Sequence, residues 1–162
     1  MTGIATLVEL YLGAEPTGVT TDGDRLLLQL ADGRSITLPL EFVSQLERID
    51  SSPTESRLLI FSTPPKIDDI RVIKDALIVS LQDGRVLSSP LRWFPRLRYA
   101  SEAERVYFQI VGDDDVIHWP ELDEDIDLMR LFSGEESLES ERSVQEWLAE
   151  RNSKAICQAS ER

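Results

Sequence analysis

Residues 19–46, VTTDGDRLLLQLADGRSITLPLEFVSQL, and residues 70–97, IRVIKDALIVSLQDGRVLSSPLRWFPRL, align without a gap at an offset of 51. Nine of the 28 columns are identical. Asp24 falls on Asp75, Leu26 on Leu77, Leu30 on Leu81, and Asp32-Gly33-Arg34 on Asp83-Gly84-Arg85. Pro39-Leu40 falls on Pro90-Leu91, and Leu46 on Leu97. Other columns keep their character, as in Leu28 with Val79, Ile36 with Leu87 and Phe42 with Trp93. A self-match of this kind marks an internal repeat, and it outranks any single motif in deciding the fold.

The repeated unit has readable physics. Leu26, Leu28 and Leu30 alternate with polar or outward positions, as do Leu77, Val79 and Leu81, the period of a half-buried strand. Asp-Gly follows each run, a strong hairpin signal because the turn needs a residue that tolerates positive φ. A return strand is expected over Arg34–Leu38 and Arg85–Ser89, ended by Pro39 and Pro90, which supply no N–H to a ladder. Leu40, Phe42, Val43 and Leu46 then sit at roughly helical spacing, and a further strand is expected near Arg57 or Arg105. The run STPPKIDD at 62–69 separates the units as a linker. The second unit alone continues, through RVYFQIVGDDDVIHW, into a strand, an acidic turn at Gly112–Asp115 and a paired strand Val116–Trp119. The expectation is an α+β chain of two small antiparallel β-rich modules with short helices, arranged as a pseudo-symmetric tandem. Its divisions are 1–63, 66–132 and an acidic helical tail over 133–162.

Size and composition agree with a globular chain. It has 162 residues and 41% apolar side chains, enough for a real core. No apolar run approaches the length that spans a bilayer, so no membrane association is expected. The opening MTGIATLVELYLGAEP has no basic region ahead of its apolar stretch and carries Glu9 inside it, unlike a secretory signal. With Cys157 as the one cysteine, no internal disulfide can form, which fits a cytoplasmic home. The net charge of −13 is uneven, because residues 113–150 hold 14 acidic side chains against only Arg130 and Arg142. Such a block repels phosphate and attracts a basic protein surface.

That block contains WPELDEDIDLMRLF at 119–132. Asp123, Asp125 and Asp127 occupy positions 1, 3 and 5 of a possible calcium loop. Such a loop needs Gly at position 6 and a bidentate Glu at position 12, where this chain has Leu128 and Gly134. His118 is the only histidine and has no cysteine near it, so neither a metal nor another cofactor is expected. The chain also has no nucleophile signature, phosphate-binding glycine loop or histidine-based triad, and it does not read as an enzyme. The carboxylates are more simply the first turn of a helix, with Asp123 as N-cap and Ile126, Met129, Leu131 and Phe132 as its buried stripe.

The order of motifs is itself distinctive: an Asp-Gly hairpin, Pro90-Leu91-Arg92-Trp93-Phe94-Pro95-Arg96-Leu97, an Ala-Ser-x-x-Glu-Arg turn, and Ile117-His118-Trp119-Pro120-Glu121-Leu122-Asp123-Glu124-Asp125-Ile126. In this it resembles the bacterial family called domain of unknown function 2442, well over 66–132 and as a degenerate copy over 17–61. The first copy ends at Phe61-Ser62-Thr63-Pro64-Pro65 without the Trp-Pro signature. The resemblance implies a small α+β domain without known catalytic activity. It also implies the antitoxin-like half of a pair with a small partner.

Two further stretches bear on partners. Ser143 and Glu146 form a capping-box pattern that predicts a helix over 144–152, with Val144, Trp147 and Leu148 on one side. Trp147 either packs on the domain or anchors another chain, as tryptophan does at hot spots and as a subunit of a larger assembly would require. The last ten residues show no periodicity and are expected to fray. Arg92, Arg96 and Arg98 interleave with Trp93, Phe94 and Tyr99, a composition able to hold nucleic acid, although the match of Trp93 and Leu97 to Phe42 and Leu46 points to core. The reading is therefore a basic partner protein, such as a toxin, met through Trp119, Glu121, Asp123, Glu124, Asp125, Trp147 and Leu148. Nucleic acid at Arg92, Arg96 and Arg98 is the alternative.

Overall fold

In the computed structural model, residues 13–42 and 65–160 are described. Both expected hairpins form. Strands β1 (Pro16–Asp22), β2 (Arg25–Leu30) and β3 (Ser35–Pro39) precede the second hairpin region, which supplies β4 (Ile67–Val72), β5 (Ala76–Leu81) and β6 (Val86–Pro90). They join one antiparallel sheet in the order β1-β2-β3-β6-β5-β4. Leu28 pairs with Ile36 and, in the other hairpin, Val79 with Leu87. The seam is β3 against β6, with Ser35 opposite Ser88, Ile36 opposite Leu87 and Thr37 opposite Val86.

Alternation buries Leu26, Leu28, Leu30, Leu77, Val79 and Leu81 on one face of this sheet. That face shares a core with Trp93, Phe94, Leu97, Ile117, Trp119, Leu122, Ile126, Leu128, Leu131 and Phe132. The Asp-Gly-Arg turns do more than reverse the chain. Gly33 (φ 94°) and Gly84 (φ 88°) take the left-handed conformation that an L side chain resists. Each aspartate then holds its own arginine: Arg34 Nε donates to Asp32 Oδ2 at 2.7 Å, and Arg85 Nε donates to Asp83 Oδ2 at 2.8 Å. Both arginines are buried and cross the seam. Arg34 stacks on Trp93, 5.6 Å from its centroid, and Arg85 on Phe42 at 5.6 Å. A Cβ on Gly33 would meet Pro90 Cγ at 3.1 Å, and one on Gly84 would meet Pro39 Cγ at 3.2 Å.

After β6 a single 3₁₀ turn (Leu91–Trp93) leads to α1 (Pro95–Tyr99) and α2 (Glu102–Val106). The strand expected near Arg105 is therefore a helix, because Ser101 and Glu104 form a capping box and initiate one there. The strand starts later, as β7 (Gln109–Val111), and pairs with β8 (Val116–Trp119), which pairs with β9 (Glu124–Asp127). The helix expected from Asp123 is also corrected. Glu124–Asp127 is a strand because Glu124 and Ile126 face inward opposite Trp119 and Ile117, a burial that a solvated helix start does not offer. Helix α3 (Leu128–Ser133) begins only after it, capped by the Asp127 carboxylate, which accepts from the Arg130 N–H at 2.8 Å. The later start turns Met129 to the surface, 58% exposed, and Leu128 takes its place in the buried stripe.

Three boundaries differ as well. The linker assigned to 62–69 gives Ile67, Asp68 and Asp69 to β4, where Ile67 is buried. The tail helix α4 spans Glu141–Ser160, so it runs past the segment expected over 144–152 and into the residues expected to fray. Its start is capped by Ser140, whose hydroxyl accepts from Ser143 N–H at 3.1 Å; Ser143 itself donates to Glu139, and Glu146 pairs with Arg142. Val43, Leu46, the strand expected near Arg57 and the stretch Ile4–Leu12 lie outside the described residues.

Candidate partner-binding site

The signature WPELDEDI forms the β8–β9 connection. Leu122 N–H donates to Trp119 O at 3.1 Å, and Asp123 takes φ 52°, which brings the chain around into β9. Strand alternation then sorts the carboxylates. Asp125 points out beside His118, whose Nδ1 lies 2.5 Å from Asp125 Oδ1, while Glu124 points in and is only 7% exposed. Burial pushes the Glu124 carboxyl up to about 7; Arg130 and Arg96 oppose the shift, and Glu139 and Asp125 add to it.

Each residue expected to meet a partner thus has a definite place. Trp119 is fully buried, its indole N–H donating to Arg105 O at 3.0 Å and its ring 6.0 Å from Phe108. Trp119 and Glu124 therefore shape the surface from beneath. Glu121 is exposed, and the side chains of Asp123 and Asp125 are 95% and 69% exposed. Trp147 and Leu148 are half-buried on α4, with Trp147 packed against the core.

Arg96 connects these parts. Its Nη1 donates to Leu122 O at 2.9 Å and Asp123 O at 3.0 Å, and its Nη2 donates to Glu139 Oε1 at 2.8 Å. The guanidinium also lies 5.6 Å from the Trp147 centroid. Those hydrogen bonds from Arg96 hold the Glu139 carboxyl below its ordinary range despite burial. Arg151, from the next turn of α4, lies 4.4 Å from the same Trp147 centroid and pairs with Glu104 on α2. Burial acts to raise Glu104, but the Ser101 N–H, the Ser101 hydroxyl and Arg151 outweigh it, so the carboxyl sits low. Of the other two arginines expected to read nucleic acid, Arg92 donates to Asp32 O at 3.1 Å and Arg98 lies over Tyr99 at 5.9 Å.

Between α4, α2 and the signature turn lies a cleft of about 650 Å³, walled by Arg96, Glu104, Glu121, Asp123, Trp147 and Arg151 among others. Among the described residues no group of three or more His, Cys, Asp or Glu could hold a metal ion. Sequence reasoning missed Glu104, Glu139 and Arg151. Ser101-Glu-Ala-Glu104 carried a readable cap signal, whereas the pairing of Arg96 with Glu139 across 43 residues carried none.

Residues 67–137 match the model of the family described as "Protein of unknown function (DUF2442)". The matched segment runs from β4 through α3 and contributes Arg96, Glu104 and the signature turn to the cleft. Glu139, Trp147 and Arg151 lie beyond it. A solved structure, that of a protein of unknown function from Rhodospirillum rubrum ATCC 11170, is similar at 26% identity with a TM-score of 0.43. That similarity covers 48% of this chain and 95% of the other. No curated protein matches this chain.

Proposed function

We propose that this chain is a non-enzymatic protein-binding module, an antitoxin-like or accessory subunit that takes up a basic partner protein on its acidic C-terminal third. One observation carries the reading: Arg96, Arg142 and Arg151 are paired within the chain, while most of this region's carboxylates, Glu124 and Glu139 excepted, face water. Arg96 pairs with Glu139, Arg151 with Glu104 and Arg142 with Glu146. Glu121, Asp123, Asp125, Asp127, Glu135 and Glu136 remain exposed. An unbalanced charged face of this kind speeds encounter with an oppositely charged surface and selects against phosphate. The engagement of Arg96 with two carbonyls and a carboxylate weighs against its use on nucleic acid.

In this reading the two halves are tandem copies with a pseudo-two-fold relation. The reciprocal contacts of Arg34 with Trp93 and Arg85 with Phe42 support it, as does the seam register that sets Ile36 opposite its own equivalent, Leu87. The first copy then serves as scaffold, since only the second carries the signature. The lone, exposed Cys157 fits a cytoplasmic setting, and no described helix is long and apolar enough to cross a membrane.

The test is recovery of the tagged chain from its native host, with identification of what accompanies it. Lysine at Glu121, Asp123 and Asp125 should abolish recovery of a polypeptide partner, whereas glutamate at Arg92 and Arg98 should leave it unchanged. Glu124 and Arg96 are left intact because both are tied into the fold. Recovery of nucleic acid with no polypeptide would defeat the proposal.

A further inference from the structure

The cleft already holds a guanidinium. Arg151 lies against the Trp147 ring and closes an ion pair with Glu104, so an aromatic face and a carboxylate grip one planar cation. The same indole lies beside a second guanidinium, that of Arg96, which Glu139 holds. Glu121, Asp123, Glu146 and Glu150 also line the cleft, with Lys154 as its remaining cation; Glu146 pairs with Arg142 and Asp123 lies 3.4 Å from Arg96. The cleft is roomy enough, at about 650 Å³, to admit a long side chain. The helix that forms one wall is lightly anchored, with Val144 buried but Trp147 and Leu148 only half-buried.

We infer that this cleft is a receptor for an arginine side chain of the partner, which exchanges with Arg151 on the Trp147 face and Glu104. The inference rests on the protein-binding reading and names the group that reading would recognise. Arginine fits better than lysine because a planar guanidinium stacks on an indole and engages a carboxylate with two donors at once. A phosphate or nucleobase ligand is disfavoured by the surrounding carboxylates. Arg151 is then an internal competitor, holding the site until the partner arrives. Trp147, Arg151, Glu146 and Glu150 lie beyond the segment that matches the family model and Glu104 lies within it, so the receptor joins the matched segment to the helix that follows it.

The experiment uses the full-length chain, labelled with ¹⁵N, and reads the indole N–H signals of Trp93, Trp119 and Trp147. The probe is the blocked tripeptide glycyl-arginyl-glycine, with a citrulline tripeptide as its uncharged isostere. The arginine peptide should move the Trp147 signal saturably and leave buried Trp93 and Trp119 in place, while the citrulline peptide moves none. Arg151→Gln should tighten binding by about threefold and Glu104→Gln should weaken it by a similar factor. A Trp147 signal that stays still at millimolar arginine peptide, or that moves equally with citrulline, overturns the inference; the unaltered chain decides this even if a variant folds poorly. A partner captured from the host while Trp147 ignores the peptide would defeat only this inference. A peptide that binds while no polypeptide is captured would defeat only the broader reading.

Discussion

Replacing Glu124 with glutamine removes a titrating proton from the inner face of the three-stranded sheet and should change how stability depends on pH. Glu124 stands opposite Trp119 in register, 7% exposed, with its carboxyl pushed up to about 7 by burial. The ordinary value is 4.5. Between those two values the folded chain retains a proton that the unfolded chain has released, so unfolding free energy falls as pH rises. Below about 4.5 both states are protonated, and above about 7 both are ionised, so the contribution is level outside that window. An interval of about 2.5 pH units, at about 1.4 kcal/mol each, sets a ceiling of about 3–4 kcal/mol. Glutamine has nearly the shape of the protonated acid and cannot ionise. Urea melts of both proteins at pH 5, 6, 7 and 8 give the comparison, and other titrating groups cancel in the difference. The variant should gain on the parent steadily from pH 5 to about 7 and hold a lead of up to about 3–4 kcal/mol at pH 8. Parallel profiles for the two proteins would refute the reasoning, since they would mean that Glu124 ionises in the fold as it does in water.

Other expectations concern the turns and caps. Gly33→Ala and Gly84→Ala should each lower stability by about 1–3 kcal/mol in thermal or urea melts, because both sites combine positive φ with a proline from the opposite hairpin at 3.1 and 3.2 Å. Similar losses at the two positions would support the reciprocal seam, and a neutral result at either would count against it. Asp127→Ala should cost about 1 kcal/mol through loss of the cap on α3, with faster amide exchange confined to Leu128–Ser133.

The features that could be read from the chain are those set by neighbours in sequence. Leu26, Leu28 and Leu30 alternate whether or not a partner strand is known, and Asp32-Gly33 needs only its own backbone to turn. The offset of 51 carried the second hairpin along with the first. The signature was harder, because Glu-Asp-Ile-Asp satisfies both a helix start and a half-buried strand, and its local charge favoured the helix. Pairing with β8 decided for the strand, since it lets Ile126 join Ile117 in the core. The same pairing separated the carboxylates into one buried group and several solvated ones, a distinction that composition could not make. The cleft depended even more on distant residues. Arg96 and Glu139 are 43 positions apart, and Arg151 and Glu104 are 47. Their side chains meet only because α4 and the residues just before it fold back across α2 and the signature turn. Local spacing thus determined the hairpins. Tertiary contact alone decided which charges are free to act, because the burial and pairing that free or occupy a charge belong to elements that the chain brings together only on folding.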